Sequence, residues 1–61
     1  IMTLENQLND WYRLKELLWD ISSEKDPISK TEMRKIYMEM LCNYENNYKV
    51  KFLVNERPKD I

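Results

Sequence analysis

The chain contains no glycine and no histidine, and its 61 residues include a single cysteine and two prolines. Each absence removes a class of chemistry. Without glycine there is no Gly-rich loop whose backbone could cradle a phosphate. Without histidine, the His-bearing zinc sites and the Glu-x-x-His diiron sites of helical bundles are excluded. Cys42 has no partner for an internal disulfide and no imidazole to activate it, so neither an oxidising compartment nor a nucleophilic thiol is implied. No apolar run approaches the ~20 residues a membrane span needs, and no signal peptide is recognisable. Alanine is missing as well, while Lys, Asn, Ile and Tyr are frequent. That bias fits an AT-rich coding sequence from a low-GC bacterium, its phage or a plasmid.

The net charge is −1, from ten bases and eleven acids. A general nucleic-acid or membrane-surface binder is normally strongly basic, so both are disfavoured. The expectation is a cytoplasmic protein of one small domain, residues 1–61, near the lower size limit for autonomous folding. Met2-Thr3-Leu4 reads as a native start, with Ile1 a cloning vestige.

What is present is helical periodicity. Leu4, Leu8, Trp11, Leu14, Leu18 and Ile21 recur at spacings of three and four, which at ~100° per residue places them on one side of a helix. Thr3 is a suitable N-cap and Glu5 suits the positive end of the helix dipole, so helix 1 is predicted over about 4–22. Tyr12 and Trp19 flank the stripe on one side and Leu17 on the other. The apolar arc then spans roughly 220°, where facing one partner takes little more than ~100°. One neighbouring helix cannot cover it.

Ser22 to Ile28 break the pattern. Ser29 and Glu32 form an S-x-x-E capping box, and Ile28 with Met33 complete a hydrophobic staple. Helix 2 is therefore predicted over about 30–47; Asp26 capping Pro27 is a rival start. Its inward face would carry Met33, Ile36, Tyr37, Met40, Leu41, Tyr44 and Tyr48. Lys35/Glu39 and Glu45/Lys49 are i,i+4 charge pairs on the helix surface. Beyond it, Val50, Phe52 and Val54 alternate with Lys49, Lys51 and Leu53, a period-2 pattern. Residues 48–61 are expected to form a short extended or strand-like arm, with continued helix as the alternative. A mainly all-α antiparallel hairpin follows, and a symmetric dimer of hairpins would make a four-helix bundle.

Three constellations invite a functional reading. Tyr12, Leu17 and Trp19 form a candidate protein interface, since Trp and Tyr are favoured anchors there. Lys30, Thr31, Arg34 and Lys35 would decorate the start of helix 2, where a helix-turn-helix offers residues to the major groove. Asp20, Ser22, Glu24 and Asp26 match the early ligand positions of an EF-hand, but Lys25 stands where the loop needs glycine and Glu32 comes one residue late. No metal or other cofactor is expected. Glu39 and Glu45 lie ~120° apart around a helix and do not converge as an acid–base pair. The sequence-level expectation is a non-catalytic interaction protein, adaptor or inhibitor, acting as a homodimer or on another protein. The alternative is a DNA-binding regulator using helix 2.

Overall fold

A computed structural model describes residues 3–59. Ile1, Met2, Asp60 and Ile61 lie outside the described residues, so the start expected at Met2 and the last residues of the arm do too. Two helices, α1 (Leu4–Ser23) and α2 (Pro27–Tyr48), account for the regular structure among the described residues.

Thr3 caps α1 as its sequence suggests. It is extended, its Oγ1 accepts from the Asn6 N–H at 3.1 Å, and Glu5 occupies the first turn. At the other end the Ser22 hydroxyl donates to the Leu18 carbonyl at 3.0 Å, one of the local side-chain bonds that weaken a helix terminus. The connection Glu24 to Asp26 is held by its own carboxylate: Glu24 Oε1 accepts from the backbone N–H groups of Lys25 and Asp26, both at 3.1 Å.

α2 begins three residues before the expected start at Lys30. Asp26, not Ser29, is the N-cap; its Oδ1 accepts from the Ile28 N–H at 3.3 Å, and Pro27 takes the first helical position. Ser29 lies inside the helix and donates from Oγ to Asp26 Oδ2 at 2.9 Å. Ile28 is 75% exposed, so no hydrophobic staple forms. The reason lies in Pro27. It pre-sets its own φ for a first helical turn and lacks the N–H that this position leaves unused. It also drives Asp26 into the extended backbone an N-cap requires, and a carboxylate there suits the positive end of the dipole. α2 ends at Lys49, which adopts the left-handed conformation (φ 58°, ψ 38°). That geometry favours glycine, which this chain does not have.

Residues early in α1 meet residues late in α2, so the helices are antiparallel. Gln7 Nε2 donates to Tyr44 Oη at 3.2 Å, and Tyr48 Oη donates to Asp10 Oδ2 at 2.7 Å. Trp11, Leu14 and Tyr44 are the buried centre, with Tyr37, Met40, Leu41, Tyr48 and Phe52 packed around them. Ile21 is buried nearer the connection. The predicted stripe of α1 thus supplies most of the core. On α2 one member of the expected face is displaced: Ile36 is 51% exposed, because it stands ~80° round the axis from Tyr44.

The chain after Lys49 forms neither strand nor continued helix among the described residues. Phe52 enters the aromatic cluster instead, 5.8 Å from the Tyr44 ring and 6.5 Å from Trp11. Two hydrogen bonds hold it there. The Phe52 N–H donates to Glu45 Oε2 and the Trp11 indole N–H donates to the Leu53 carbonyl, both at 3.0 Å. Those bonds go to side chains of the helices, where a strand would need a neighbouring strand to satisfy its ladder. The alternation that suggested a strand has a different cause: Phe52 and Val54 turn inward while Val50 is 40% exposed.

The molecule is slender, 40 × 19 × 15 Å, with a radius of gyration of 12.3 Å. A compact domain of this length would have ~10.5 Å. Slenderness leaves helix flanks uncovered, and one of them is the candidate site.

Candidate functional site: an aromatic groove along the first helix

Tyr12 and Trp19 stand two turns apart on α1 and point to the same side, as their spacing requires. They line an open groove of about 520 Å³ together with Lys15, Glu16, Leu18 and, from the C-terminal segment, Val54. Trp19 is 72% exposed and Tyr12 48%. Tyr12 is held edge-on against the buried Trp11 ring, centroids 4.9 Å apart and planes at 75°. Lys15 Nζ sits over the other partner of that contact, 4.9 Å from the Trp11 ring centroid, an arrangement that attracts a cation to the ring face. One end of the groove is therefore fixed by core residues, and the indole of Trp19 is left in solvent.

The structure brings together two of the three residues expected at an interface. Leu17 does not line the groove; it is half-buried on the opposite flank of α1. Val54 was not foreseen as a site residue. Its signal in the sequence was only its place in an apolar alternation. What brings it to α1 is the bond from Trp11 to Leu53, a pairing across the whole chain.

The polar groups of the groove are few. Its lining includes one acid, one base and the Ser22 hydroxyl, which donates to the Leu18 carbonyl. Among the described residues no group of three His, Cys, Asp or Glu could hold a metal ion. In the loop that resembles the opening of an EF-hand, the Glu24 and Asp26 carboxylates accept from backbone and Ser29 groups of the turn itself. No helix among the described residues is long and apolar enough to cross a membrane.

The basic set on α2 is arranged differently from expectation. With the helix starting at Pro27, Lys30, Thr31, Arg34 and Lys35 sit past its first N–H groups, and the Asp26 carboxylate already occupies the terminus. Thr31 Oγ1 donates to the Pro27 carbonyl at 2.9 Å, and Lys30 is half-buried. Thr31, Arg34 and Lys35 share a shallow outer groove with Met38, Glu39 and Cys42. Cys42 is exposed, its sulfur 3.6 Å from the donating Asn46 amide.

Two tyrosines of the interhelical core have their phenols shifted upward. Burial pushes the Tyr48 phenol up to about 12, assisted by its hydrogen bond to Asp10 and by the charges of Asp10 and Tyr44. Tyr37 is raised in the same direction by burial and by the charge of Glu45. Tyr48 serves this core through its hydrogen bond to Asp10 and Tyr37 through packing, both away from the aromatic groove. The chain matches no protein-family model, no curated protein and no solved structure at a significant level.

Proposed function

We propose that this chain is a small non-catalytic interaction module, an adaptor or inhibitor, that docks a protein surface on the Tyr12–Trp19 groove of α1. The observation that carries this is the exposure of Trp19, 72%, at the edge of an apolar groove in a hairpin that buries its other tryptophan. Trp and Tyr are the side chains most often found as binding hot spots, because each covers a large area while losing little side-chain entropy. Tyr12, held against Trp11, is already ordered before any partner arrives, which lowers the cost of association. Occlusion or bridging of the partner would be the mechanism, and self-association belongs to the same proposal, as does the cytoplasmic setting expected from the lone cysteine.

The test is a double variant, Tyr12→Ala with Trp19→Ala, assayed for oligomeric mass and for proteins captured from a native extract. Both side chains lie largely outside the core, so the helical spectrum should persist while captured partners or self-association are lost. Retention of every partner and of the original mass would refute the assignment. The DNA-binding alternative rests on Lys30, Thr31, Arg34 and Lys35, and it has less to support it. An anion-binding helix start needs free N–H groups, and here Asp26 takes that place. Its own test is salt-sensitive binding to duplex DNA, weakened by Lys30→Ala or Arg34→Ala.

A further inference from the structure

We infer that residues 50–59 form a strap that opens about Lys49 while the helical hairpin stays folded, and that each opening removes one wall of the Tyr12–Trp19 groove. The inference rests on the reading of that groove as a docking surface and names what regulates it. An occupant seated against Val54 meets a complete site only while the strap is closed.

Three features separate the strap from the hairpin. The first is a thin attachment. Among the described residues no backbone-to-backbone hydrogen bond joins residues 50–59 to either helix; the backbone bond from the Glu56 N–H to the Leu53 carbonyl, at 3.1 Å, is internal. The tethers are the Phe52 N–H on the Glu45 carboxylate and the Trp11 indole N–H on the Leu53 carbonyl. Phe52, Val54 and Pro58 are half-buried and the rest of the segment is exposed. Segments with so few buried contacts lie at the low end of local stability.

The second feature is the hinge. Lys49 holds left-handed backbone (φ 58°, ψ 38°), which costs an L-residue with a side chain more than right-handed or extended backbone does. Relaxation at that one residue swings everything after it away from the helices. The third is that the hairpin keeps contacts of its own. The Gln7–Tyr44 and Asp10–Tyr48 hydrogen bonds, and the packing of Tyr37, Met40 and Leu41 on the buried centre, use no residue beyond Tyr48. Val54 is the one lining residue of the groove from outside α1. Opening therefore leaves a flat helix flank, and by linkage an occupant that touches Val54 holds the strap shut.

Native-state hydrogen exchange on the full chain, followed by NMR, tests this. The Trp11 indole N–H reports the strap, because its acceptor is Leu53. The backbone N–H of Leu14, buried in the middle of α1, reports the hairpin. The indole of Trp19, 72% exposed, is the reference, told apart from Trp11 by Trp19→Phe. The Trp11 indole should be protected ~10–100-fold relative to Trp19, yet at least about fivefold less than Leu14. Its protection should also fall less steeply with urea, since opening the strap exposes less surface than unfolding does. Lys49→Val puts a β-branched residue at the left-handed position. It should lower Trp11 protection ~5-fold and move the Val54 methyl resonances toward their unfolded positions in proportion.

Equal protection and one urea slope for Trp11 and Leu14 overturn the strap, which then leaves only with the whole fold. A Trp11 indole that exchanges as fast as that of Trp19 overturns the closed state. Val54 methyls that stay in place while Trp11 loses protection overturn the wall. No partner takes part in these measurements, so the docking reading fails separately, when protein capture does not depend on Tyr12 and Trp19.

Discussion

Replacing Phe52 with alanine should cost this protein a large part of its stability, although Phe52 belongs to neither helix. Its ring touches the rings of Trp11 and Tyr44, two of the three residues at the centre of the core. A fully buried Phe→Ala change costs ~3–5 kcal/mol. Phe52 is half-buried and sits on a segment that can relax, which brings the transfer and cavity part down to ~1.5 kcal/mol. Loss of the edge-on contact with Tyr44 adds ~0.5–1 kcal/mol. The expected total is about 2 kcal/mol, against ~3–9 kcal/mol for a whole domain of this length. At 4–8 °C per kcal/mol in so small a domain, the melting temperature should fall by ~8–16 °C. Circular dichroism at a fixed protein concentration measures this directly, and fluorescence in a Trp19→Phe background, where Trp11 is the one indole left, reports whether the segment has left it. Val50→Ala, on the same segment but 40% exposed, should shift the midpoint by less than ~3 °C. A Phe52→Ala variant that melts within ~3 °C of wild type would falsify the claim that the C-terminal segment completes the core.

Other changes test the helix ends and the interhelical hydrogen bonds. Asp26→Ala should destabilise by ~1 kcal/mol through loss of the N-cap, whereas Ser29→Ala should cost less than half of that; a reversed order in urea titrations would restore Ser29 as the cap. Lys49→Gly should stabilise by ~0.5 kcal/mol, the relief of a left-handed lysine being partly offset by the greater freedom of glycine in the unfolded chain; a lower urea midpoint would contradict the cap geometry. The Tyr48 phenol is raised in the folded state to about 12, above its unfolded value of ~10. Its contribution is therefore complete below pH ~10 and is lost as pH rises through about 12. Tyr48→Phe should be less stable at neutral pH, lacking the bond to Asp10, but should lose less additional stability between pH 10 and 12. Parallel alkaline unfolding curves for the two proteins would dissociate Tyr48 from that loss.

The α1 helix was legible because its signals are local and agree. Thr3 caps it, the stripe from Leu4 to Ile21 recurs at one period, and the core that formed uses Trp11, Leu14 and Ile21 from that stripe. The start of α2 offered two local signals in conflict, and the residue that decided, Pro27, acts through backbone sterics that an S-x-x-E pattern does not register. The candidate site was half legible. Spacing alone placed Tyr12 and Trp19 on one flank, but the apolar arc that made Leu17 look equivalent contains no information about which flank a neighbour covers.

By itself, then, the amino-acid order determined what depends on residues a turn or two apart: the two amphipathic rods, the break between them, and an oily surface on the first that exceeds what the second can shield. Tertiary structure decided everything that depends on distant partners. The period-2 run near the C-terminus became a wedge in place of a strand because Glu45 and the Trp11 indole supply its hydrogen bonds. The same two contacts bring Val54 to the first helix and make a groove out of a flat flank. Periodicity records which side of an element is apolar, while the choice of what covers that side is made by groups far away in the chain.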